Sequence, residues 1–152
     1  MILYIEDLFR EINILNWYRG EAVKRRDESA DLIQSDIDQQ DALLSHMRSA
    51  VNEVLNFANP NNIKFTCEYS DDALKFSISP VREGREHILH LLKETIRQFI
   101  IHEVRRLWMM NMRPEWADGS MHESLKRNII DAMSASTSVG SKVRRRAATM
   151  GI

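Results

Sequence analysis

Cys67 is the only cysteine in this 152-residue chain. An intrachain disulfide is therefore excluded, and the composition fits a reducing compartment. A secretory signal is missing too: the chain opens "MILYIEDLF", with Glu6 and Asp7 in place of a basic leader. No apolar run approaches the roughly 20 residues of a membrane span. There is no internal repeat. Together these absences lead to the expectation of a soluble intracellular or virion protein with no membrane partner.

Catalytic signatures are equally scarce. "HEVRR", His102 to Arg106, begins like a zinc-protease helix, but the second histidine position holds Arg106, a cation that repels a metal. His87 and His90 share a helix face, yet two ligands make no zinc site, and solvated histidines are the plainer reading. No nucleophile, paired carboxylates or glycine-rich phosphate loop stands out. The expectation is a non-enzyme with no catalytic, cofactor-binding or metal-ligating residues and no cofactor.

What is present is a 43% hydrophobic chain, long enough for one domain with a small core. Its net charge of −1 hides an asymmetry. Residues 1 to 80 hold 8 Lys and Arg against 14 Asp and Glu, whereas residues 81 to 152 hold 13 against 8. Such a polar chain can dock head to tail with its own copies or turn its basic end to an acidic partner.

Periodicity divides the chain. Ile5, Leu8, Phe9, Ile12 and Leu15 share one face and predict a short helix from Tyr4 to Asn16, punctuated by Gly20. A highly charged stretch follows, read as a solvated helix or loop. Ser35 and Asp36 can cap a second helix, "DIDQQDALLSHMRSAVNEVLNFA", whose stripe includes Ile37, Leu44, Met47, Val51, Val54, Leu55 and Ala58. The period then changes from 3.6 to 2. Phe65, Cys67 and Tyr69, then Leu74, Phe76 and Ile78, predict an antiparallel hairpin from Ile63 to Pro80. A lone hairpin is marginal in water, so it must lie on a helix or extend a neighbour's sheet. Cys67, on its apolar face, reads as a small core residue.

A long helix, Glu86 to about Met112, comes next. Its first half has an ordinary stripe, but Ile101, Trp108 and Met112 form a second apolar patch on the far side. That patch needs either another subunit or the N-terminal helix to cover it. Glu103 projects into the stripe among Leu92, Ile96, Phe99 and Leu107. An unpaired buried carboxylate costs several kcal/mol, so a partner is expected: Arg106 locally, or an arginine from another subunit. Ile101, Glu103, Trp108 and Met112 are thus the candidate subunit interface. Trp17, Trp108 and Trp116 lie near element ends and read as core and rim. After "RPEWADG", Ser120 and Glu123 have capping-box spacing before a last helix carrying Met121, Leu125, Ile129 and Met133.

The pattern ends in "GSKVRRRAATMGI". Ordering such residues costs about 1–2 kcal/mol each in backbone entropy. The few apolar side chains here return about 1.5–3 kcal/mol apiece if fully buried. The tail cannot therefore fold on hydrophobic burial alone. It is a solubilising tail, a weak salt-sensitive phosphate contact without aromatics for base stacking, or a strap ordered by a partner. In the strap reading the contacts are Lys142, Val143, Arg144, Arg145, Arg146, Met150 and Ile152.

These readings give a mainly α fold: about four helices with one β-hairpin insertion and an extended C-terminal tail. Residues 1–34 form the N-terminal helix and charged segment, 35–135 the core, and 136–152 the basic tail. That order is similar to the head–tail connector (adaptor) proteins of tailed bacteriophages. The stretches that carry the resemblance are "DIDQQDALLSHMRSAVNEVLNFA" and "LLKETIRQFIIHEVRRLW", within roughly residues 35 to 135. In that family a helix opening with paired acids precedes a hairpin and a helix of A-I-x-x-L-V-x-x-W/Y character. The charged N-terminal extension and the Met- and Trp-rich third helix depart from it. The resemblance implies a non-enzymatic homo-oligomeric ring at the head–tail interface of the virion, assembled in the host cytoplasm. Its partners would be the portal protein and tail or neighbouring ring proteins, with DNA passing through the channel without sequence-specific contact. In that family C-terminal segments reach into portal clefts. A small DNA-binding or packaging accessory protein, using the basic C-terminal half, is the alternative.

Overall fold

The computed structural model describes residues 1–24, 40–58, 64–112 and 114–137; side chains are described outside 17–24 and Trp116. Their elements run β1 (Ile2–Tyr4), α1 (Ile5–Lys24), α2 (Gln40–Phe57), β2 (Lys64–Tyr69), β3 (Ala73–Ser79), α3 (Glu86–Met112) and α4 (His122–Thr137). A single 3-10 turn, Pro114–Trp116, joins the last two. The fold is mainly helical with a small antiparallel sheet, as the periodicity predicts. No helix among the described residues is long and apolar enough to cross a membrane.

The hairpin gains a third strand from its own chain. Strand order is β1-β3-β2, with Leu3 opposite Leu74 and Cys67 opposite Phe76. The helix expected from Tyr4 is therefore preceded by a strand. Ile2, Leu3 and Tyr4 alternate out, in, out, and Leu3 is buried while Tyr4 is exposed. Met1 closes the pairing: its amine donates to the Phe76 carbonyl at 2.9 Å, and the Phe76 N–H donates to the Met1 carbonyl at 2.8 Å. The Ile5 N–H then donates to the Asp72 carbonyl at 2.9 Å, so the chain passes from strand into α1 with no loop.

Helix α1 also runs through Gly20 to Lys24. One glycine costs about 1 kcal/mol in a helix interior, too little to end a helix that is otherwise supported. The expected start of α2 near Asp36 falls outside the described residues, as does Ile63. At the other end, α4 continues through Ser136 and Thr137, which the sequence reading assigns to the tail. Ser136 is fully buried, its carbonyl accepts the Arg82 N–H at 3.1 Å, and its hydroxyl donates to the Met133 carbonyl at 2.9 Å. Serine suits this site because its hydroxyl finds a partner inside the helix itself.

Helix α3 is the spine. Its 27 residues, at about 1.5 Å each, reach about 40 Å, and α1, α2, α4 and β1 all pack on it. The inward faces of the strands supply Leu3, Phe65, Leu74 and Phe76; α3 supplies Leu92, Ile96, Phe99 and Ile100. Phe65 and Phe76 stack at 5.6 Å between centroids, a diagonal cross-strand pair, and Phe57 meets Phe99 edge to face at 5.3 Å. Each fully buried side chain of this size contributes about 1.5–3 kcal/mol. Being wrapped by three helices explains why the second half of α3 is apolar nearly all round. Ile101 is 0% and Trp108 3% exposed within the single chain. Of the two covers expected for this patch, another subunit or the N-terminal helix, the first is not needed to explain the burial of these two residues, which the single chain itself provides. Met112 is half-buried against the same core.

Candidate functional site

The most concentrated chemistry lies where α2, α3 and α4 meet. Glu103 is 3% exposed, so the sequence-based wheel places it correctly among apolar neighbours. Arg106, one helical turn on, answers its charge. The Arg106 Nε donates to Glu103 Oε2 at 2.8 Å, and a terminal guanidinium nitrogen donates to Oε1. This side-on fork is the geometry in which arginine satisfies both carboxylate oxygens. Glu103 is therefore corrected from interface candidate to core ion pair, and its cation is the local one. The same bond, with the charges of Glu103 and Glu53, raises the Arg106 pKa against the opposing effect of burial.

His122 brings the third helix in. As the first residue of α4 it places Nε2 2.6 Å from Glu53 Oε1 on α2, and Nδ1 3.3 Å from Glu123 Oε1. Its ring lies 5.2 Å from that of Phe99. The capping-box expectation pointed to Ser120 and Glu123. The structure shows the Ser120 N–H donating instead to the Asp118 carboxylate at 2.9 Å, with Glu123 facing His122. One ligand-capable atom from each of Glu53, Glu103 and His122 lies within 4.8 Å of the other two. Beside them is a cavity of about 10 Å³, walled by Phe99, His102, Arg106, Asp118 and Met121 among others. Burial, then the nearby Arg105 charge, lowers the His102 pKa against the pull of Asp118.

Comparison with protein-family models, curated proteins and solved structures finds no match.

The site therefore rests on geometry alone. Sequence reasoning finds Glu103 and Arg106 because three residues on a helix are neighbours. It misses Glu53 and His122, which are 69 residues apart and joined only by tertiary packing. The expected strap residues Lys142, Val143, Arg144, Arg145, Arg146, Met150 and Ile152 lie outside the described residues.

A second feature sits at the opposite end of the sequence. An open groove of about 680 Å³ runs between the start of α1 and the β2–β3 turn, with Glu6, Asp7, Asp71 and Asp72 on its walls. Arg10 is its cation, and it pairs with Glu6 at 3.4 Å and Asp7 at 3.5 Å. Four acids of the first 80 residues thus meet on one face.

Proposed function

We propose that the chain is a non-enzymatic subunit of a head–tail connector ring in a tailed bacteriophage. The observation that carries this reading is the order and layout of the core: a helix (α2), a hairpin packed beside it through β2, a long helix, then a short helix. The acidic groove adds support, because a ring of repeated head-to-tail contacts needs unlike surfaces at the two ends of each subunit. In this reading residues 140–152 are the strap, Arg144, Arg145 and Arg146 forking onto carboxylates of a portal cleft. Ring closure makes each weak strap one of many linked contacts and so adds avidity.

The alternative, a DNA-packaging accessory, relies on free cations in the second half of the chain. Several of those arginines are already engaged. Arg97 pairs with Glu11 and with Glu94, Arg105 donates to Asn16 at 3.2 Å, and Arg106 holds Glu103. Such pairs reduce the phosphates these residues can neutralise. Light scattering without DNA separates the two readings. Large rings, or monomers that assemble only on a portal ring, support the connector. A monomer that ignores portal but retards DNA, with the retardation lost as salt rises, overturns it.

A further inference from the structure

We propose that Glu53, Glu103 and His122 form a binding site for one divalent first-row transition ion of the zinc class, stapling α2, α3 and α4 together. The donor set has one imidazole nitrogen and two carboxylate oxygens, drawn from three helices and lying mutually within 4.8 Å. Bonds of about 2.0–2.2 Å place adjacent ligands of a tetrahedral zinc roughly 3.4 Å apart. The 2.6 Å contact between His122 Nε2 and Glu53 opens to admit the ion, and every separation in the set is already below 4.8 Å. An imidazole in so small an oxygen set favours zinc-like ions over calcium or magnesium, which prefer more oxygen ligands.

Three further features bear on an ion at this site. Behind His122, Glu123 Oε1 lies 3.3 Å from Nδ1, the carboxylate–imidazole arrangement that orients metal-bound histidines. Arg106 holds both oxygens of Glu103 and its charge opposes a second cation, but each oxygen keeps a second lone pair, so the guanidinium can orient this ligand without displacing it. The adjoining cavity of about 10 Å³ is close to the space one water needs, which supplies a fourth ligand. Charge agrees: two carboxylates meet one guanidinium, with Glu123 nearby to offset the cation.

The test uses the full chain, stripped with a chelator and titrated with zinc chloride, reading the melting temperature and one-to-one stoichiometry by calorimetry. Cobalt(II) is a second probe, whose visible absorption reports tetrahedral ligation. Zinc is expected to raise the melting temperature, and magnesium at equal concentration to leave it unchanged. His122→Gln and Glu53→Gln should abolish the shift and the cobalt spectrum, and both spare the buried Glu103–Arg106 pair. Glu123→Gln should weaken zinc about 10-fold or more. The exposed His87 and His90 are the control, and His87→Gln/His90→Gln should keep the full response. Absence of any zinc effect on the wild type overturns the proposal. So does a response that survives His122→Gln in folded protein, one lost with His87 and His90, or an equal response to magnesium.

Discussion

Substituting Arg106 by alanine isolates the electrostatics of the three-helix junction. Glu103 is 3% exposed and has both oxygens held by that one guanidinium. Removing the cation leaves a buried carboxylate that must stay charged without a partner or take up a proton. Breaking one side of such a pair typically destabilises by about 3–5 kcal/mol. Water in the neighbouring cavity can solvate the orphaned group, so about 3 kcal/mol is expected here. For a chain of this size, each kcal/mol moves the melting temperature by about 2–4 °C, giving a fall of about 6–12 °C. The assay is urea unfolding followed by circular dichroism, with chelator present so that no ion compensates. Glu103→Leu/Arg106→Met removes both charges and should recover most of the loss, because apolar groups of similar volume replace a buried pair at little cost. Should Arg106→Ala unfold at the wild-type urea midpoint, Glu103 is not a buried charge and the description of the junction is wrong.

Other outcomes follow from the same packing. Trp108→Ala should destabilise by about 3–5 kcal/mol in urea unfolding, because the ring is buried within one chain; a change in self-association with no change in stability would restore the subunit-interface reading. Leu3→Ala should destabilise by about 2–5 kcal/mol and speed exchange of the Phe76 amide, whose partner is the Met1 carbonyl. Burial, then the charge of Glu68, pushes the Cys67 thiol up to about 11, so it stays a neutral thiol through pH 8 and becomes a thiolate only near that value. A disulfide reagent at pH 8 should label it slowly in the folded protein and quickly in urea; equal rates would count against the packing of β2.

Much of the fold is legible in the sequence, for local reasons. Helix α3 appears at its predicted bounds because its stripe is long and Glu86 and Met112 flank clear breaks. The hairpin is legible because Phe65, Cys67, Leu74 and Phe76 keep strict alternation. Strand β1 is not: three residues are too few for a period, and its partner lies about seventy positions away. Glu103 is legible because a charge in an apolar stripe demands a partner and Arg106 is one turn on. His122 and Glu53 leave no such trace, since their meeting depends on how α4 and α2 dock on α3. The double-sided apolar pattern around Trp108 reads alike whether a neighbouring helix or a second subunit covers it, and only the structure separates the two.

The connector assignment meets its most direct test in the composition of the particle. Quantitative mass spectrometry of purified virions from a phage encoding this chain, with portal protein as the internal standard, measures it. The expected result is a fixed copy number comparable with that of portal, lost together with tail attachment when the chain is truncated after Ser138. Absence of the chain from tailed virions, or virions that assemble normally with the truncated chain, would contradict the assignment and the strap respectively.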